Sequence, residues 1–320
     1  MAGSREAESR GMRTPRPLPH SLEGQALTPG ALRVAGVDLN RLRRRDIAPI
    51  ARGIRMQRSH MPVHEIERLR QRAVLLARER ANSWISHHTA AMLRGWSIPG
   101  RLLDARTVHL TVLKAAGTYS RRDQVMCHRT TRAPRNLERY ENTLISSPAL
   151  TWLELAGAMS IEELVMLGDH IVRRPYRRYE GRSEPWTTLA SLRDVVDSAA
   201  GMHGVKRARA AVDQVRIGAD SAQETALRLA LVNAGLPEPE LQVRPDDDPW
   251  SPPADLGYRR QRIAIQFDGA THFDPERARH DQRRDNAFTS ARWSLLRFNR
   301  EDARDGFTRA VAQVGHLLAS

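Results

Sequence analysis

The chain has 320 residues, of which 40% are hydrophobic and 28% charged, and a formal net charge of +14. That length holds two or three domains, each able to bury a core, and the excess of positive charge suits a polyanionic partner. No apolar run approaches the roughly 18 residues that a membrane-crossing helix needs. The first thirty residues are polar and Pro-rich rather than signal-like, and the single Cys127 cannot form an internal disulfide, so a cytoplasmic protein without membrane contact is expected.

Residues 1–28 carry scattered charges without periodicity and are predicted to be a disordered tail. In residues 29–80, Leu32, Val34 and Val37, then Leu39, Leu42 and Ile47, form short helical patterns before a strand-like Arg52–Met56. Small helices followed by a basic hairpin predict a winged-helix-like region, in which Arg41, Arg43, Arg44 and Arg45 contact DNA phosphates. A solvated arginine face on an ordinary helix is the other reading. Ile66, Leu69, Ala73 and Leu76 predict an amphipathic helix over 65–80.

Residues 81–174 read as a mixed α/β middle region. It has a helix from Ser86, an alternating strand Val108–Val112, an apolar Leu144-Ile145 and a helix over 150–158. His87 and His88 diverge on a helix and have no ligand partner at useful spacing, so they read as structural. Residues 175–214 read as a linker and two helices, about 187–200 and 203–215. The linker's Tyr176-Arg177-Arg178-Tyr179 has a composition able to stack on bases, and an ordinary surface loop explains it equally well.

From residue 215 the order is helix, three strands, helix, strand, helix: an α/β domain with a small mixed sheet flanked by helices. Ser221-Ala-Gln-Glu224 opens the first helix as in a capping box, worth about 1 kcal/mol. Alternatively, Glu224 faces the strands as a ligand. Strands are predicted at 240–244, 254–258 and 262–268, followed by a helix from Pro275, a strand Trp293–Phe298 and a helix near Glu301. In the third strand Ile263, Ile265 and Phe267 share one face, so Ala264, Gln266 and Asp268 share the other. A hairpin that sets Asp255 beside Gln266 and Asp268 clusters the oxygen ligands a hard cation such as Mg²⁺ or Mn²⁺ requires. No lysine follows Lys206, so this domain has none to offer for catalysis, and Arg259, Arg260, Arg262, Arg283 and Arg284 are the expected phosphate contacts.

The segments "SAQETALRLALVNAGLPEPELQV", "ADLGY", "IAIQFDGATHF" and "DQRRDNAFTSARWSLLRF" resemble, in that order, a PD-(D/E)XK, restriction-endonuclease-like domain. They are most similar to the very-short-patch-repair-endonuclease-like family, over about residues 215–320. "GVDLNRLRRRDIAPIARGIRM", "SHHTAAMLRG" and "VHLTV" more loosely resemble winged-helix proteins of the AbiEi antitoxin type. The first resemblance implies that Glu224 is the helix acid, Asp255 the central metal ligand and Gln266 the holder of the second acid position. Asp268-Gly269 and His272 match the family's Asp-Gly and following His, and Asp281 and Arg284 its helix signature.

The implied activity is metal-dependent hydrolysis of DNA phosphodiesters, in repair or defence. His272 would be general base or proton donor, or else a loop histidine bonded to Asp268. Two departures stand against this: the family usually has Glu where this chain has Gln266, and the superfamily's lysine is missing. The alternative is a DNA-binding regulator or antitoxin-like protein whose nuclease fold has lost catalysis.

Overall fold

Leu22, Leu27, Leu32 and Ile47 come together in one buried cluster in the computed structural model, which describes residues 17–51, 53–80, 82–114, 124–131, 135–246, 248–269 and 275–320. They belong to the first of two units into which the chain divides. Met1–Ile85, Asp104–Ala133 and Arg139–Ile145 form that unit; Ser86–Leu103, Pro134–Glu138 and Ser146–Ser320 form the other. The architecture is mixed α/β, with helices and three small sheets. No helix among the described residues is long and apolar enough to cross a membrane.

In the first unit α1 (Pro29–Val34) begins where the Thr28 hydroxyl accepts the Ala31 N–H at 3.1 Å, with Pro29 in the first turn. A 3-10 turn, Leu39–Arg43, leads to the antiparallel hairpin of β1 (Ile47–Ala51) and β2 (Ile54–Gln57). Arg41, expected on DNA, is buried and holds Asp46 through two hydrogen bonds of 2.9 and 2.6 Å. It fixes the approach to the hairpin and is not presented to a phosphate. Arg43, Arg44 and Arg45 are exposed.

Helix α2 (Glu65–Arg78) buries Leu69, Ala73 and Leu76 of the stripe its periodicity predicts, while Ile66, in its first turn, is exposed. It packs against a five-stranded sheet of order β5-β4-β3-β7-β6, made of β3 (Ser83–Ile85), β4 (Val108–Leu113), β5 (Val125–Thr130), β6 (Leu137–Tyr140) and β7 (Thr143–Ser146). His109 of β4 and His128 of β5 stack with ring nitrogens 3.0 Å apart.

The second unit has a helical layer and a sheet. The layer contains α3 (His87–Leu93), α4 (Pro148–Leu155), α5 (Ile161–Val172), the short α6 (Arg177–Glu180), α7 (Leu189–Asp197) and α8 (Val205–Val212). Its core centres on the fully buried Trp152, whose indole N–H donates to the Leu164 carbonyl at 2.8 Å. Leu229 of α9 (Ala222–Asn233) joins the same core. Residues 175–214 are therefore packed into this unit rather than linking separate domains, and the boundary expected at 214/215 falls inside a shared core. The His87 backbone N–H donates to the buried Glu154 carboxylate at 3.0 Å.

The sheet has order β11-β10-β9-β8, from β8 (Glu240–Val243), β9 (Ala254–Tyr258), β10 (Ile263–Asp268) and β11 (Ser294–Asn299). Strands β8, β9 and β10 run antiparallel to their neighbours, and β10 pairs with β11 in parallel. Ile263, Ile265 and Phe267 pack with Leu227 and Leu231 of α9 and with Ala310 and Val314 of α12 (Thr308–Ala319), which follows the short α11 (Arg300–Arg304). On the other face Ala264 and Val243 meet Phe288 of α10 (Pro275–Ser290) and Trp293. Gly257 is required there: a Cβ would stand 2.4 Å from Val243 Cγ1 and 2.6 Å from the Ile263 carbonyl oxygen.

Candidate metal centre

Pairing of β9 with β10 ends at Leu256 opposite Ile265, and the Asp255 carboxylate fills the gap where the strands part. One oxygen accepts the Phe267 backbone N–H at 2.8 Å, and the other accepts the Gln266 amide Nε2 at 2.7 Å. Asp255 and Gln266 therefore share one side of the sheet, as the strand parity requires. Gln266 is buried, and its Oε1 has no hydrogen-bond partner among the described residues. A buried carbonyl oxygen without a donor costs about 1–3 kcal/mol, so its persistence calls for a partner.

Glu224 enters this site from the first turn of α9. The reciprocal capping box is not formed. The Ser221 hydroxyl does bond the Glu224 N–H at 3.2 Å, but the Glu224 carboxylate accepts instead from the Asp220 N–H (2.8 Å) and the Ser221 hydroxyl (2.9 Å). Burial raises the Glu224 carboxyl from 4.5 to about 7, with further contributions from the charges of Asp255 and Asp220. Burial likewise raises Asp255 from 3.8 to about 6, although its bond from Phe267 and the charge of Arg284 work the other way. Asp220, overlooked in the sequence, is the third carboxylate of the cluster. It is held by the Tyr176 hydroxyl at 2.5 Å and more loosely by Gln242 Nε2 at 3.4 Å. The sequence signal for it is slight: an acid one residue before a helix cap and four before Glu224.

Asp268 is bonded to Arg297 rather than to Asp255 or Gln266. Its half-exposed carboxylate lies 3.2 Å from the guanidinium of Arg297, which also grips Asp285. Of the convergence expected of Asp255, Gln266 and Asp268, the direct bond is the one between Asp255 and Gln266. The parallel register sets Arg297 directly beside Gln266. Among the described residues no group of three or more His, Cys, Asp or Glu side chains is arranged to hold a metal ion. His272 lies outside the described residues.

The arginines are distributed differently from expectation. Arg259, Arg260 and Arg262 are exposed in the β9–β10 turn, at the opposite end of the strands from Asp255 and Gln266. Four residues of strand separate Arg262 from Gln266, roughly 13 Å at about 3.3 Å per residue, so these arginines do not flank the site. Arg284 is buried, donates to Asp281 at 2.8 Å and acts on Asp255 through its charge. It serves the cluster as a counter-charge rather than as a surface phosphate contact. Arg283 is exposed on α10.

This arrangement offers oxygen donors of the type hard divalent cations take: one fixed carboxylate, one unpartnered amide oxygen, and a second acid at the rim. Mg²⁺ commonly uses one or two carboxylates, the rest of its shell coming from water and substrate phosphate, so an open, incomplete donor set fits such an ion. No protein-family model matches the chain, and no curated protein is significantly similar to it.

Proposed function

We propose that this protein is a divalent-metal-dependent DNA endonuclease of restriction-endonuclease-like, PD-(D/E)XK type, with a winged-helix-like DNA-binding region in its N-terminal part. The observation that carries this reading is the buried, unpartnered Gln266 Oε1 held against an Asp255 carboxylate. That carboxylate belongs to a cluster with Glu224 and Asp220, in which the charge of Arg284 acts on Asp255. Asp255 and Gln266 would hold Mg²⁺ or Mn²⁺, with Glu224 at the edge. Such an ion, when bound, polarises a phosphodiester and acidifies water. The protein's own share is to fix Asp255 with two donors, to keep Glu224 at a protonation midpoint near neutrality, and to restrain Asp255's charge with Arg284. A carboxyl titrating near pH 7 is suited to accept or return a proton at working pH.

One observation favours the other reading, a DNA-binding regulator with an inactive nuclease fold. Gln266 supplies an amide where a carboxylate would add charge, and its Nε2 occupies an Asp255 oxygen. The Gln266→Glu variant separates the two. In the endonuclease reading it binds Mn²⁺ about tenfold more tightly, equivalent to about 1.4 kcal/mol, and nicks supercoiled plasmid at lower metal concentration than wild type. A wild type that cuts well beside a dead Gln266→Glu variant would mean that the amide itself is needed. DNA binding by both forms without cutting by either would leave the regulator as the function.

A further inference from the structure

We propose that Arg173–Arg182 is a DNA-backbone clamp for the carboxylate cluster, with Arg174 and Arg177 as its phosphate contacts and Tyr176 as the residue that pins it in place. This rests on the endonuclease reading for the identity of the polyanion. The segment holds five arginines and a single acid, Glu180. Glu180 is its internal organiser, accepting from the Tyr176 N–H at 3.0 Å and pairing with Arg173 and Arg182 at 2.8 Å each. Arg182 also stacks over Trp186, 5.0 Å from the ring centre. Two arginines are thus spent on shaping the segment, while Arg174 and Arg177 stand exposed with no ion pair among the described residues.

Tyr176 ties this basic element to the site. Its hydroxyl donates to Asp220 at 2.5 Å, and the Asp220 N–H donates to Glu224 at 2.8 Å. Burial and the Asp220 bond push the phenol's pKa upward, so it remains a donor. A cluster of carboxylates repels an approaching phosphate by about 1 kcal/mol per charge at 4 Å in water and by about 4 kcal/mol at an effective dielectric of 20. Positive charge at the rim must offset this. Arg259, Arg260 and Arg262 lie at the far end of the hairpin, Arg284 is buried, and Arg297 is neutralised by Asp268 and Asp285. The Tyr176-tethered segment is the basic element bonded directly to the cluster.

The test is fluorescence anisotropy of the full chain on a short labelled DNA duplex over a KCl series, with Mn²⁺ affinity measured in parallel. The variant Arg174→Ala/Arg177→Ala is expected to bind about tenfold more weakly at low salt. Its log K against log[KCl] slope should be shallower by about 2, since each phosphate contact contributes roughly 0.9. Its Mn²⁺ affinity should equal that of wild type, which also reports an intact fold. Arg174→Lys/Arg177→Lys should keep the slope. Tyr176→Phe keeps the charges and so the slope, but loses a few-fold in affinity because the segment is untethered. An unchanged slope in the double alanine variant overturns the proposal, as does a wild type with no salt-dependent DNA binding. Normal arm-dependent DNA binding without any Mn²⁺ binding would sink the metal reading and leave the clamp standing.

Discussion

Asp255→Asn is expected to abolish Mn²⁺ binding and to lower metal-dependent DNA cleavage by at least about 100-fold, since loss of a supporting residue alone costs 10- to 100-fold at metal sites. The same substitution should make the metal-free protein more stable near pH 8. Asp255 and Glu224 titrate at about 6 and about 7 in the fold, above their ordinary 3.8 and 4.5. Groups raised in this way contribute their full stability below the unfolded values, near pH 4, and lose it as pH rises through 6 and 7. Near pH 8 the charged cluster therefore opposes folding, and removing one charge should stabilise by about 1–2 kcal/mol net of one weakened hydrogen bond. Near pH 5 that advantage should vanish. Thermal melts at both pH values, with and without Mn²⁺, read the effect. Unchanged metal affinity in Asp255→Asn, or a variant less stable than wild type near pH 8, would remove Asp255 from the centre of the site.

The same titrations set the pH dependence of metal binding. Mn²⁺ must displace protons from Asp255 and Glu224, so its affinity should rise with pH through the 6–7 window and level off above it.

How much of this was legible beforehand depends on the length scale of the pattern. Strand parity over 263–268 has a period of two, so the separation of Ile263, Ile265 and Phe267 from Gln266 could be read directly, and the hairpin length placed Asp255 beside Gln266. The hairpin also implies that its turn, with Arg259, Arg260 and Arg262, lies at the end of the strands away from Asp255. That consequence was open to sequence reasoning and was missed. The burial of Arg41 and Arg284 was not legible, because a long side chain can lie along an apolar surface or reach solvent from the same helical position. Neither was the bond from Tyr176 to Asp220, which spans 44 residues without a repeating pattern. Strand β5 escaped because Cys127-His128-Arg129 lacks apolar alternation. Helix α5 was not read from the sequence either, although Ser160 and Glu163 form a complete capping box in the fold and carry the signal that could have found it.

Asp169→Ala is expected to destabilise the second unit by about 3–5 kcal/mol, the cost of stranding one member of a buried ion pair. Asp169 on α5 and Arg228 on α9 are both almost fully buried and pair at 3.0 Å. Asp169 also accepts from the Arg216 N–H at 2.7 Å and the Thr225 hydroxyl at 2.9 Å. Burial raises its carboxyl despite the charge of Arg228, so desolvation outweighs attraction here. The pair is consequently worth more as a positioning device than as a source of stability. It anchors α9 at Thr225 and Arg228, one residue and one turn beyond Glu224, and so holds the first turn of α9 against the rest of the unit. Asp169→Leu combined with Arg228→Met should recover most of the lost stability, since apolar replacement of both partners is often close to neutral. Glu238, which bonds Arg228 at 2.9 Å and is partly exposed, can turn to solvent. Metal affinity should not recover in that double variant, because the bonds that set the angle of α9 are gone. Denaturant midpoints for the two singles and the double, with Mn²⁺ affinities on each, test this. A single-variant cost below about 1 kcal/mol, the range of an exposed pair, or a double variant with wild-type metal affinity, would mean that Glu224 is placed by other contacts.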